Sequence, residues 1–143
     1  MPRTYTQLYI HIIFATKQRL PFIRPDLRDA LYPFLGGAVR NHGGTALAIG
    51  GMPDHVHLLT RIRSRASVAG LVKSLKGSSS KWINDQRILS DHFGWQEGYA
   101  AFSVSPSQLD RVRRYIENQE EHHRDMSTDD ELTRLVKKSE ARG

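Results

Sequence analysis

Hydrophobic and polar positions divide the chain into segments of two periods. Tyr5 to Ala15 is rich in Tyr, Ile and Phe and apolar on both parities, which predicts a central strand covered on both faces. Pro21 and Pro25 break the pattern. From about Asp26 to Asn41, Leu27, Leu31, Phe34, Leu35 and Ala38 share one side of a helix that Gly43-Gly44 ends. Thr45–Gly51 and His55–Arg63 read as a hairpin joined by the tight turn Met52-Pro53-Asp54. A second helix starts at about Ser67, with Val68, Leu71, Val72 and Leu75 at helical spacing; Gly77 and the run Ser78-Ser79-Ser80 weaken it before Trp82 and Ile83. A strand region follows around Trp95–Ser103, interrupted at Gly98. The last long helix has Ser105 as N-cap, Pro106 at N1 and Gln108 at N3, a capping box, and a stripe of Leu109, Val112 and Ile116. Leu132, Leu135 and Val136 suggest a short further helix in the tail.

The order β-α-β-β-α-β-α predicts an α+β fold, an antiparallel sheet of split βαβ (ferredoxin- or RRM-like) topology with an added C-terminal helix that carries a tyrosine. At 143 residues the chain is expected to be one domain, 1–143. There is no cysteine, so thiolate metal sites and disulfides are excluded and His, carboxylate and amide groups remain as ligands. No apolar run approaches the roughly 20 residues of a membrane helix, and no signal-peptide pattern opens the chain, which fits the cytoplasm. The formal charge of +6 points towards a polyanionic partner, nucleic acid first.

Two short constellations carry chemistry. In His55-Val56-His57 the strand's alternation puts both imidazoles on one face, about 7 Å apart, where they can converge on one divalent ion. Asp54 has the opposite parity and reads either as a turn residue or as a partner orienting an imidazole, so a third ligand must come from elsewhere. Tyr115 and Gln119 stand at i, i+4 on the flank of the apolar stripe, where a phenol can reach into a cleft and an amide oxygen can reach a metal. Taken singly, each set also describes ordinary strand histidines and a boundary tyrosine. Arg61 and Arg63 share parity with the histidines, Arg111, Arg113 and Arg114 flank Tyr115, and Lys73, Lys76 and Lys81 follow on the second helix. As a set they suggest a phosphate-binding surface near the site.

Together these residues resemble a known family. Gly50-Gly51-Met52-Pro53-Asp54-His55-Val56-His57-Leu58-Leu59 is similar to the His-hydrophobic-His motif of the single-tyrosine transposases, from insertion sequences that move as single-stranded DNA. So are Tyr9-Ile10-His11 through Lys17, Trp95 to Tyr99, Phe102 to Ser105, Tyr115 to Gln119, and His122-His123-Arg124, in the expected order. The resemblance covers roughly Tyr5 to Arg124 and leaves the tail after Asp125 outside.

The resemblance implies Tyr115 as nucleophile and His55, His57 and Gln119 as ligands of Mg²⁺ or Mn²⁺; His122, like Asp54, is a further candidate for supporting the ligands. The ligand types alone would also admit Zn²⁺. It further implies a 5′-phosphotyrosine intermediate, recognition of hairpins at the element's ends, and a homodimer in which Tyr115 acts in cis or in trans. Two rivals are a module that binds DNA hairpins without cutting, and an RNA-binding βαββαβ domain; the latter stacks bases on sheet aromatics where this chain carries histidines.

Overall fold

The computed structural model describes residues 3–119 and 128–142. Four strands, β1 (Leu8–Ala15), β2 (Thr45–Met52), β3 (His55–Ile62) and β4 (Ala100–Val104), form one antiparallel sheet in the order β2-β3-β1-β4. With α1 (Pro25–Asn41) and α2 (Val68–Gln86) as the crossovers, this is the expected split βαβ arrangement. Among the described residues two more helices follow, α3 (Leu109–Glu117) and α4 (Thr128–Arg142). None of the described helices is long and apolar enough to cross a membrane.

β1 is central and buried on both faces, as its two-sided apolarity predicts. Ile12 and Phe14 join Val56, Leu58, Leu27, Leu31, Leu35, Leu71 and Leu75 in the main core beneath α1 and α2. The opposite face carries His11, His55, His57 and Leu59, and there a smaller cluster of Ala48, Leu59 and Ile116 packs under α3. The core thus lies on one side of the sheet and the polar chemistry on the other.

Two details of β2 place α3. An irregularity between Ala46 and Ala48 inserts a residue, so that Ala48 pairs with Leu59 and Gly50 with His57. Without it, the parity of β2 beyond Leu47 would reverse and Gly50 would face the main core. At Gly50 the backbone of α3 comes so close that an added Cβ would stand 2.1 Å from the Ile116 carbonyl oxygen. Only glycine permits that approach, and it brings the tyrosine helix onto the histidine strand.

Three expectations need correction. α2 runs unbroken through Ser78-Ser79-Ser80, because the hydroxyls bond back to helix carbonyls, Ser79 Oγ donating to Leu75 O at 2.6 Å. Buried Ser79 then accepts the Trp95 indole N–H at 2.9 Å, so the serine is a docking point rather than a weak spot. The Ser105 capping box does not form: Pro106–Gln108 is a 3₁₀ turn, Ser105 makes no side-chain cap bond, and α3 starts only at Leu109. The strand expected around Trp95–Ser103 is confined to Ala100–Val104, preceded by one bridge, Thr16 to Trp95, and by Gly98 at φ +84°.

Candidate active site

β3 delivers His55 and His57 to one face, both fully buried, with ring centroids 5.0 Å apart. Each ring turns Nε2 into the site and is held from behind through Nδ1. Asp54 Oδ1 accepts from His55 Nδ1 at 2.8 Å, and His11 Nε2 lies 2.8 Å from His57 Nδ1. Of the two readings left open for Asp54, the geometry is that of a residue orienting an imidazole. His11 reaches His57 diagonally, because it pairs with Leu59 in the sheet while Ile13 pairs with His57. Such outer contacts fix the tautomer and aim of a ligating imidazole.

α3 supplies the next two groups. The Tyr115 ring is 5.8 Å from the His57 ring, edge-on, and half-buried. Gln119, two residues past α3 and buried, donates its amide N–H to the Tyr115 carbonyl at 3.2 Å. That bond turns its oxygen inward, 3.4 Å from His55 Nε2. The i, i+4 relation therefore brings Tyr115 and Gln119 to the histidines within one chain.

The group that pattern reading missed is Glu131 on α4. It is buried, and its Oε1 lies 3.0 Å from His57 Nε2 and 3.3 Å from His55 Nε2, while Oε2 accepts the Tyr115 hydroxyl. The signal was present as an acid one helical turn before Leu135, on the flank of the tail's apolar stripe, but nothing in its type or spacing ties it to a strand more than seventy residues earlier.

Electrostatics follow from this packing. Burial opposes a charge on His55, but hydrogen bonds to Asp54 and Glu131, and their charges, outweigh it and raise its pKa to about 9. Burial and the neighbouring His57 drive His11 down to about 3, so it stays neutral. Burial opposes ionisation of Glu131, yet hydrogen bonds from His55 and His57 hold it well below the usual carboxylate range. Burial and the Glu131 hydrogen bond push the Tyr115 phenol well above its ordinary value. Tyr115 is therefore protonated at neutral pH.

The donor set suits a small divalent ion. His55, His57 and Glu131 place one ligand atom each within 4.8 Å of one another, and Gln119 Oε1 adds a hard oxygen beside His55. Adjacent donors around an octahedral ion with bonds near 2.1 Å stand about 3 Å apart, close to the 3.0–3.4 Å separations here. His55, His57 and Glu131 thus form a buried cluster able to hold a metal ion.

The basic residues divide. Arg111, Arg113 and Arg114 are exposed on α3 beside Tyr115. Arg61 keeps the parity of the histidines, but its Nη2 donates to the Thr6 carbonyl at 3.1 Å, and Arg63 lies beyond the end of β3, against Gly43. Lys73, Lys76 and Lys81 sit on α2, across the sheet from the histidines. Lys76 donates to the Gln96 and Gly98 carbonyls at 2.8 and 2.7 Å, and Lys81 pairs with Asp85 at 2.6 Å. His122 lies outside the described residues.

Comparison with known proteins agrees with this geometry. The family model of IS200-like transposases matches residues 4–119. The ISDra2 transposase TnpA of Deinococcus radiodurans is 28% identical over 118 residues, spanning 79% of this chain and 84% of the relative. A crystal structure described as that of a candidate transposase from the same organism superposes with TM-score 0.67 at 30% identity, over 83% of this chain and 96% of the other. A REP-associated tyrosine transposase bound to a REP hairpin superposes with TM-score 0.59 over 81% of this chain and 68% of its own; at 13% identity that likeness speaks to the fold alone. The matched segment runs from β1 through the histidine strand to Gln119, most of the chain, and the protein belongs to the IS200-like transposase family.

Proposed function

We propose that this transposase cuts and rejoins single-stranded DNA at the ends of its element through a 5′-phosphotyrosine on Tyr115, with His55, His57 and Gln119 holding Mg²⁺ or Mn²⁺. The observation that carries the reading is convergence: the Tyr115 hydroxyl and both inward Nε2 atoms meet one and the same carboxylate, so an anion seated there touches nucleophile and ligands together.

In that arrangement Tyr115 Oη attacks the scissile phosphorus in line. The O–P bond forms, the P–O3′ bond breaks, and the departing 3′-oxygen takes up a proton while the phenol loses its own. The retained phosphodiester bond makes rejoining the reverse attack by a 3′-hydroxyl, and no nucleotide cofactor is needed. A bound Mg²⁺ or Mn²⁺ supplies charge neutralisation and orientation of the scissile phosphate. Asp54 and His11 keep the two imidazoles aimed, and the Gln119 amide is locked by the Tyr115 carbonyl. Arg111, Arg113 and Arg114 on the tyrosine helix are suited to the flanking phosphates.

Hairpin recognition at the element's ends is supported by the fold shared with a transposase bound to a REP hairpin, and a homodimer by the family resemblance. The RNA-binding alternative is disfavoured because α3 covers the sheet face on which such domains stack bases. The test is cleavage of a labelled single-stranded element end with Mg²⁺ and with excess chelator. Nicking with the metal, none with chelator and none on the matching duplex is expected; equal nicking under chelation removes the metal role. Tight hairpin binding without nicking under either metal would leave only the binding module.

A further inference from the structure

α4 is anchored unlike the helices before it. α1 buries Leu27, Leu31, Leu35 and Val39, and α2 buries Leu71, Val72, Leu75 and Ile83. Among the α4 side chains described, residues 130–138, Glu131 alone is buried. Leu132 and Leu135 are half-buried and Val136 is exposed. Leu135 and Lys138 border a cleft of about 390 Å³, with Phe102, Arg111 and Val112 lining it from β4 and α3. Among the described side chains of the helix, the fully buried anchor is therefore a carboxylate rather than an apolar residue.

That carboxylate spans two kinds of partner. One oxygen lies against the Nε2 atoms of His55 and His57, and the other takes the Tyr115 hydroxyl. A phosphodiester under attack by Tyr115 needs the same two places, an oxygen towards the histidine ligands and phosphorus beside the phenol. The carboxylate and the phosphate are both anions, so exchanging one for the other leaves the buried imidazoles with an anionic partner throughout. A phosphate in those two places would require the carboxylate to leave them. Glu131 also lies beyond residue 119, where the family match ends.

We propose that Glu131 is a phosphate-mimicking latch: α4 lays its carboxylate in the seat of the scissile phosphate, and single-stranded DNA enters only by displacing it. The inference rests on the function proposed above. It is read with chelated full-length protein and a fluorescein-labelled single-stranded oligonucleotide, by anisotropy, in Glu131→Ala, Glu131→Gln and wild type. Losing a competing charged hydrogen bond should tighten binding by about tenfold in the alanine variant. Glu131→Gln, which keeps the shape, should move in the same direction and serves if the alanine variant fails to fold. Asp130→Asn removes the same charge from an exposed position on the helix and should change affinity by less than about twofold. Amide hydrogen exchange across residues 130–138 of the wild type should quicken when the oligonucleotide binds.

Binding by the Glu131 variants equal to or weaker than wild type, or matched by Asp130→Asn, overturns the latch. So does Mn²⁺ affinity that falls in Glu131→Ala while the oligonucleotide is saturating, since Glu131 would then be a ligand of the working site. If no variant or wild type forms a DNA adduct with metal, the proposed function fails, and the chelated binding series still decides the latch.

Discussion

Gly50→Ala isolates the contact that sets the tyrosine helix on the histidine strand. The new Cβ would lie 2.1 Å from the Ile116 carbonyl oxygen, 2.9 Å from its carbon and 3.1 Å from its Cγ2. Backbone atoms cannot rotate away as a side chain can, so α3 must lift by about 0.9 Å to reach even the 3.0 Å limit of real Cβ contacts. Overpacking of this kind costs about 1–3 kcal/mol, which for a domain of this size lowers Tm by several degrees. Tyr115 directly precedes the displaced carbonyl, and misplacing a reacting atom by about 1 Å costs on the order of 10²-fold in rate. Single-turnover formation of the protein–DNA adduct should therefore fall by about two orders of magnitude, beyond what the loss of stability explains at a temperature where the variant stays folded. Gly77→Ala is the control: the added Cβ meets nothing within 4 Å, and the gain in helix propensity should stabilise by up to about 1 kcal/mol with adduct formation unchanged. Adduct formation by Gly50→Ala within about threefold of wild type would mean that this contact does not position the nucleophile.

Further expectations concern the ligands, the charge and the pH response. Gln119→Ala should weaken Mn²⁺ binding, measured by calorimetry, more than it weakens hairpin binding; an unchanged metal titration would remove Gln119 from the ligand set. Hairpin affinity should fall as salt rises, because neutralised phosphates release counterions, and Arg111→Ala should make the slope of log affinity against log salt shallower. A salt-independent affinity would contradict the basic-surface reading. For the chelated protein, His55 raised from 6.5 to about 9 contributes stability that is full below pH 6.5 and lost as pH rises through 9. Glu131, lowered from 4.5, contributes above that value and loses it as pH falls. Thermal stability should accordingly decline on both sides of this window, and His55→Gln should flatten the alkaline limb; an alkaline limb of unchanged slope in that variant would assign it to another group.

Much of the site was legible in local periodicity. Strand alternation puts His55 and His57 on one face whatever the rest of the chain does, and the i, i+4 relation puts Gln119 beside Tyr115. β1's apolarity on both parities marks it as central because both of its faces are in fact covered. The remainder depends on contacts that no local period encodes. His11 reads as one more residue of an apolar strand until the pairing with β3 brings its ring 5.0 Å from that of His57. Lys76 reads as a phosphate ligand by charge, yet its ammonium is drawn to two carbonyls of the loop before β4 and stands 5.7 Å from the Phe14 ring centroid. Ser79 reads as a weak helix former because propensity does not see the indole it accepts from. Glu131 is the largest omission: on an amphipathic tail an acid normally faces water, and its burial follows only from where α4 lies.

The central claim is that the Tyr115 hydroxyl is the attacking atom. An element end labelled at its 3′ terminus, incubated as single strand with Mg²⁺ and resolved on a denaturing gel, should leave label covalently attached to the protein, because the fragment 3′ of the break is joined through its 5′-phosphate. Mass spectrometry should place the phosphodiester link on Tyr115 among the five tyrosines, and Tyr115→Phe, which keeps the ring, should bind the same DNA and give no adduct. An adduct on Tyr99 or another tyrosine, or one that persists in Tyr115→Phe, would contradict the account.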